Sequence, residues 1–522
     1  MTVEAHPNIL QLLPGDDFQR IGQNGEAASH LVAVIDVGSN STRMEVLQLT
    51  SDYDLRVVSE VKALLRLASR KSKDGRLLPS AVSELSRLID DFATVARASE
   101  VDSIRAVATS AMRDATNGDE VLQRVRKETG IDLEIISGAQ EAEFGFLGAV
   151  FTLPAHDGVL FDIGGGSVEF SFFENRSLQK VYTLDLGALR VSNDFLNSEQ
   201  PEHKAVSALR RHVKSMLRAS GMPALAANGK LIGAGGTIRN LTKIDRETRK
   251  HSFGRLHGSV VPYGSLKAIV NGLRGLDRTS LAYMPGLNPE RVDSILGGAI
   301  VASEIAKFFN KKPILVSGRG IREGLAMSGV IEKLPSIEEV RRRSVYALGA
   351  RFDTWDRLRA DRRAAIARKM AALLLDHLDD EMTQLIPHVA RLIDTGRSVN
   401  YYDRYVHAAN IIEQGEIGGF SHRDIGLMSA ALRFGASYST PISRYRPELK
   451  KSDRAIVRRA TSILRISDEM ERRLGAERFS HIEMSLVDGR IEVRAPELNS
   501  WDPGRFATRF KRSFKLDFEV VR

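Results

Sequence analysis

Cysteine is absent from all 522 residues, which excludes disulfides, thiolate metal sites and cysteine nucleophiles together. No apolar run approaches the roughly 18 residues that a membrane span requires, so no membrane partner is expected. The first thirty residues carry Glu4, Asp16, Asp17 and Glu26 and no basic stretch leading into an apolar one. They do not read as a secretory signal, and residues 1–30 are expected to be a disordered leader on a cytoplasmic protein. Two nucleotide-binding signatures are missing as well. The chain has no G-x-x-x-x-G-K-[ST], and no G-x-G-x-x-G follows a strand and opens a helix.

What remains is an ordinary globular composition, 43% hydrophobic and 27% charged, long enough for about three domains. Its charge is unevenly placed. Residues 1–340 sum to zero, so residues 341–522 carry the whole net +9. Clusters there include Arg341-Arg342-Arg343, Arg362-Arg363, Lys450-Lys451 and Arg458-Arg459. Any one cluster reads as a solvated helix face, whereas the asymmetry suggests a polyanion partner.

Period-2 and apolar runs place strands at 31–35, 44–49, 104–107 and 133–136, with helical spacing over 80–99 and 118–129. Strands alternating with helices indicate an α/β region with ligand chemistry at the carboxyl ends of its strands. After about residue 335 amphipathic helices take over, at roughly 338–379, 381–394, 403–414, 422–435 and 453–474, with Ser421 and Asp424 in N-capping positions. Asp488-Gly489 between two alternating runs then predicts a hairpin.

The α/β region contains an internal repeat. Val34-Ile-Asp-Val-Gly-Ser-Asn-Ser41 and Leu160-Phe-Asp-Ile-Gly-Gly-Gly-Ser167 match Asp36 to Asp162, Gly38 to Gly164 and Ser41 to Ser167, each between two strands. A glycine turn after a strand lets several backbone N–H groups converge on a phosphate. Ser39, Asn40, Ser41 and Ser167 add side-chain donors, and Asp36 and Asp162 could hold Mg2+ directly or through water. One such turn reads as structural; two related by a repeat and facing one cleft favour phosphate. Splitting a phosphoanhydride also needs a group that orients or deprotonates water. Glu141 and Glu143 are candidates, although either also reads as an acid complementing a helix N-terminus. Arg113 reads as a bidentate phosphate clamp or as a surface ion pair.

The ordered set VIDVGSNSTR (34–43), ATSAMRDA (108–115), EIISGAQEAEF (134–144), FDIGGGSVEF (161–170), IGAGGTIR (232–239) and SGRGIREGL (317–325) resembles the exopolyphosphatase / guanosine pentaphosphate phosphatase family. The resemblance implies two ribonuclease-H-like α/β lobes of the actin/Hsp70/sugar-kinase class, at 31–150 and 151–334. A mainly helical HD-like module with a small C-terminal α+β part would follow at 335–522. It implies phosphate loops at Asp36, Gly38, Ser39, Asn40 and Ser41 and at Gly164, Gly165, Gly166 and Ser167, with Arg113, Gly235, Gly236 and Thr237 also on phosphate. Asp162 and Glu169 would lie on the metal, Mg2+ or another divalent cation, and Glu141 would be the catalytic base. The family pattern S-G-x-E-E-A has Gln140 here in place of its first glutamate; Gln140 retains a hydrogen bond to offer phosphate or water.

An HD site needs several histidines and an adjacent His-Asp. His377, His388, His407, His422 and His481 lack ligand spacing, so the helical module is expected to be non-catalytic and to hold a polyphosphate tail through its positive charge. The expected activity is release of terminal orthophosphate from inorganic polyphosphate. Guanosine pentaphosphate (pppGpp) is the alternative substrate, which would tie the chain to the stringent response. Outside the class, the rivals are an actin-like ATP-dependent kinase with Gly235, Gly236 and Thr237 on adenosine, and a nucleic-acid-binding protein. No sequence-specific nucleic-acid motif is visible. The resemblance also implies a homodimer.

Overall fold

The computed structural model describes residues 2–4, 29–50, 54–196, 202–331, 333–436, 441–474 and 482–521. The chain divides into two units, Met1–Thr248 with Leu256–Ile337 and Arg249–Arg255 with Glu338–Arg522. At the start of the expected leader, Thr2–Glu4 is a strand, β1, paired antiparallel at a sheet edge. Residues 5–28 of that leader lie outside the described residues.

The first lobe is built on β2 (Ser29–Val37), β3 (Thr42–Thr50), β4 (Leu55–Ala63), β5 (Ser103–Ala108) and β6 (Leu133–Ile135), in the order β4-β3-β2-β5-β6. The second lobe is built on β7 (Gly158–Ile163), β8 (Val168–Glu174), β9 (Ser177–Leu184), β10 (Lys230–Ala234), β11 (Val260–Val261) and β12 (Ile314–Val316), in the order β1-β9-β8-β7-β10-β12-β11. Apart from the edge strands β1 and β11, the two orders are the same. Three antiparallel strands are followed by two that run parallel to the first of them. The repeat read from two short turns is therefore a repeat of whole sheets, as the two-lobe class implies.

Local sequence explains the elements. Ala33, Val34 and Ile35 are fully buried on the central strand β2, which needs an apolar run rather than alternation because both faces are covered. Helix Pro79–Ala98 starts with Pro at its first position and turns Val82, Leu85, Ile89 and Phe92 into the lobe's core. Burial of each such side chain contributes about 1.5–3 kcal/mol. Helices Gly138–Val150 and Ile321–Met327 cross with their backbones in contact. A Cβ on Gly148 would stand 1.9 Å from Gly320 O, and one on Gly324 would stand 1.8 Å from Phe144 O. Glycine is required at both positions, and the crossing fixes the two helices that present Glu141 and Arg322.

The second unit is helix-rich and ends in a small sheet. The helix expected over 338–379 is two, Ile337–Gly349 and Arg357–Leu373. The Trp355 ring fills the space beside Gly349, where a Cβ would meet it at 2.4 Å, and Asp356 accepts the Arg359 N–H at 2.7 Å to cap the second helix. Helices Asp380–Leu392, Arg404–Gln414, His422–Ala436 and Arg454–Arg473 lie where the periodicity puts them. Ser421 and Asp424 each accept the other's N–H, at 3.1 and 2.8 Å. In the expected hairpin, β13 (Glu483–Val487) and β14 (Arg490–Arg494) are joined through Asp488 and Gly489 at φ 47° and 77°, the left-handed pair that a type I′ turn needs. β15 (Asp517–Val520) pairs parallel to β14. Among the described residues no helix is long and apolar enough to cross a membrane.

Candidate active site

The two Asp-x-Gly turns face one cleft of about 720 Å3 in the first unit. They are built alike, since Gly38 N–H donates to Ser41 O at 3.2 Å and Gly164 N–H to Ser167 O at 3.0 Å. Both have their carbonyls held from behind. Ser39 O and Asn40 O accept from Ala68 and Arg66 N–H, at 3.0 and 2.9 Å. Gly164 O, Gly165 O and Gly166 O accept from the amides of Ala188, Leu189, Arg190 and Gly187 at the start of helix Ala188–Phe195, at 2.9–3.2 Å. Among the described residues no protein acceptor takes the N–H of Ser39, Asn40, Gly165 or Gly166. A backbone donor left over in this way is available to a ligand. Gly187 is indispensable to the second loop, because a Cβ there would lie 2.2 Å from Gly166 C.

Seven carboxylates line the cleft, Asp36, Asp114, Glu141, Asp162, Glu169, Glu290 and Asp293, and four of them, Asp36, Glu141, Asp162 and Glu169, act on one another's charge. Asp36 and Asp162 end β2 and β7, and burial pushes both upward against the pull of Arg322 and Arg43 on the first and Arg239 and Arg291 on the second. Burial also raises Glu141 to about 7, with Arg113 opposing and the charges of Asp36 and Asp162 adding. Glu169 is pushed up to about 8, first by burial and then by the charge of Glu141, although Ser167 Oγ donates to it. Glutamates titrating near 7 and 8 in one cleft are suited to proton transfer at neutral pH.

Glu141 sits one turn into helix Gly138–Val150, where the cleft is lined by Glu141, Ala142 and Gly145 and not by Glu143. The N-terminus explains Gln140. Ser137 N–H donates to Gln140 Oε1 at 2.9 Å, and Gln140 N–H donates to Ser137 Oγ at 3.2 Å. This is a capping box, which accepts Glu or Gln equally at its third position. Gln140 is thus spent on the cap and does not line the cleft.

Two further expectations need correction. Arg113 is not among the residues that line the cleft; its guanidinium donates to Ile136 O at 2.8 Å and to Glu141 Oε2 at 3.3 Å, so its fork is engaged by these two groups rather than open to a phosphate. Thr237 is 1% exposed and donates to Ile163 O at 3.4 Å, one helical position too deep to reach a ligand. Gly235 and Gly236 do line the cleft, opening helix Gly235–Arg249. A Cβ on Gly235, which has φ +82°, would overlap Asp162 Oδ1 at 2.0 Å, and one on Gly236 would overlap Arg291 at 1.9 Å.

The cations in the cleft were not assigned from sequence: Arg43, Arg66, Lys71, Arg190, Arg239, Arg291 and Arg322. Arg239 is crowded enough that burial, together with Arg322 and Arg43, lowers it to about 10. Such crowding of like charges is relieved by an anion. Arg322 bonds Glu45 at 2.7 Å and lies 3.9 Å from Asp36. Arg43 and Arg322 fall inside the motifs VIDVGSNSTR and SGRGIREGL, so the signal was present, but nothing in the spacing distinguishes a ligand-facing arginine from a solvated one.

The basic clusters of the second unit, by contrast, are largely occupied within it. Arg341 donates to Gly419 O, Arg342 and Arg343 pair with Glu339, and Arg459 donates to His377 O. An open track of free cations is not what these residues form. His388 and His422 are buried, His481 lies outside the described residues, and no group of three or more His, Asp or Glu fit to hold a metal occurs among the described residues.

A profile of the Ppx/GppA phosphatase family matches residues 46–332. Exopolyphosphatase 2 of Mycobacterium tuberculosis is 30% identical over 312 residues, covering 57% of this chain and 98% of that protein. Exopolyphosphatase 1 of Mycobacterium leprae is 31% identical over 314 residues, 58% of this chain and 90% of that one. Among solved structures, the Ppx/GppA family member of Aquifex aeolicus superposes with a TM-score of 0.53 at 27% identity, over 58% of this chain and 98% of its own.

Proposed function

The chain belongs to the Ppx/GppA phosphatase family, whose members hydrolyse phosphoanhydride bonds, and on that premise we propose that it is an exopolyphosphatase. It removes the terminal orthophosphate from inorganic polyphosphate, with Glu141 as general base. The observation that carries this reading is the placement of Glu141, raised to about 7, in a cleft lined by two glycine loops in which the amides of Ser39, Asn40, Gly165 and Gly166 have no acceptor among the described residues.

The loop amides and the cleft arginines hold the non-bridging oxygens of the terminal phosphates. Glu141 Oε accepts a proton from the water that attacks the terminal phosphorus in line, and the shortened chain leaves as an anion. Arg113 orients the Glu141 carboxylate and keeps its affinity for the proton from rising further. Asp162 and Glu169 face each other across β7 and β8. They are an oxygen donor set that suits Mg2+, which takes one or two carboxylates with phosphate and water oxygens rather than a complete protein cage. When bound, the cation neutralises charge on the transferred phosphoryl oxygens.

The test is release of orthophosphate from long-chain polyphosphate and from guanosine pentaphosphate, measured side by side with Mg2+. Faster turnover of polyphosphate is expected. Faster turnover of guanosine pentaphosphate would reassign the substrate, and no release from either would refute the proposal.

A further inference from the structure

The helical unit has a concavity of its own, of about 400 Å3, a size usual for small-molecule sites. Five arginines line it, Arg359, Arg362, Arg397, Arg404 and Arg472, with three carboxylates, Asp394, Asp468 and Glu471. A sixth arginine, Arg363, is fully buried and already engages all three acids, Asp394 at 2.6 Å, Asp468 at 3.0 Å and Glu471 at 3.7 Å. Asp468 is held down at about 2 against burial by Arg363 and Arg404, so it stays anionic. Six guanidinium groups thus meet three carboxylates. Even when Glu469, which pairs with Arg472, is added to the acids, two positive charges are in excess.

The buried members are matched, Arg363 and Arg404 against Asp394, Asp468 and Glu471, as buried charges must be. The surplus lies on the partly exposed Arg359, Arg397 and Arg472, and it faces the cavity. Arg472 is turned toward the wall by a 2.7 Å bond to Tyr401 Oη, and Arg397 reaches only to 3.7 Å from Asp394. The Nε of Arg362 is buried with no hydrogen-bond partner among the described residues. Guanidinium forks fixed by acids beneath them are arranged for phosphate oxygens, which they bind in pairs. The Tyr401 ring in the wall already carries Arg404 and Arg397, whereas Tyr402 beside it, 88% exposed, offers a ring surface on which a base could stack.

We propose that this cavity binds a short oligophosphate group, either free or carried by a nucleoside, as a second phosphate site that takes no part in hydrolysis.

Calorimetric titration of the full chain tests it, in a Glu141→Gln background that prevents turnover, with tripolyphosphate in one arm and GTP in the other. Two binding events per chain are expected. Arg397→Ala with Arg472→Ala, both partly exposed, should weaken one event at least tenfold and spare the other. Arg458→Ala, exposed elsewhere on helix Arg454–Arg473, should leave both unchanged. Equal binding in the two arms assigns the site to the oligophosphate alone. Tighter GTP binding that Tyr402→Ala reduces assigns it to a nucleotide. Should the double variant melt early, Arg397→Ala alone carries the same comparison. A single binding event, or two that the cavity variants leave unchanged, overturns the proposal, and neither result bears on hydrolysis in the cleft.

Discussion

Asp36 and Asp162 hold equivalent register positions in the two lobes, Asp36 opposite Arg43 on β3 and Asp162 opposite Glu169 on β8. The duplicated hairpins are alike in backbone and differ in the residue across from the aspartate. One presents a cation to the cleft and the other a second carboxylate; under the proposed function the first would hold phosphate and the second phosphate with its counter-ion.

That asymmetry predicts separable losses. Arg43→Met should raise KM for polyphosphate about tenfold and leave the Mg2+ requirement unchanged. Glu169→Gln should raise the Mg2+ concentration for half-maximal rate by about tenfold. Steady-state kinetics across a Mg2+ series checks both, and an exchange of the two effects would contradict the assignment.

Glu169 also links stability to pH. Its folded value of about 8 exceeds the ordinary 4.5, so the stabilisation from its proton is complete below about 4.5 and is lost as pH rises through 8. Without divalent metal, the melting temperature should fall between pH 5 and pH 8. Glu169→Gln, which cannot lose a proton, should flatten that fall and gain on the order of 1–3 kcal/mol at pH 8. Melting curves at both pH values measure it.

The rate should depend on a deprotonated Glu141. Activity is expected to rise with pH through about 7 and to be lost on the acid side. Arg113 lowers the Glu141 value, so Arg113→Ala should move the acid limb to higher pH and leave KM within about threefold. A limb that stays in place would assign Arg113 no part in tuning the base.

Much of this site was legible in the sequence, because a strand ending in Asp-x-Gly is a local pattern and its recurrence 126 residues later, from Asp36 to Asp162, carries global information. Glu141 was not separable from Glu143 on spacing alone; the family pattern singled it out, and the structure places Glu141 and not Glu143 on the cleft lining. Arg113 and Thr237 were misplaced because their roles depend on depth and on a partner, Glu141 in one case and Ile163 O in the other, and motif spacing encodes neither. The long helix over 338–379 failed at Gly349, where the break is made by the Trp355 ring six residues on. The basic clusters misled because net charge counts cations without showing which already have partners.

Gln140 offers a direct check on the departure from the family pattern. Gln140→Glu should preserve the capping box and keep kcat within about twofold. Gln140→Ala should lower stability by about 0.5–2 kcal/mol with little change in KM. Loss of activity in Gln140→Glu would show that the position acts in the cleft.

The second loop should be sensitive at its support. Gly187→Ala, whose new methyl would collide with Gly166 C at 2.2 Å, should cost kcat/KM on the order of a hundredfold, whereas Gly138→Ala, which meets nothing within 4 Å, should be near neutral. Kinetics on purified, folded variants distinguishes them.

Orthophosphate release from long-chain polyphosphate by the wild type and by Glu141→Gln, at pH 7.5 with Mg2+, decides whether Glu141 is the general base. Removing a general base costs typically 10²–10⁴-fold in rate. The expected result is a loss in kcat of that order with KM nearly unchanged and with the acid limb near pH 7 abolished. A Glu141→Gln variant that keeps its rate and its acid limb would contradict it.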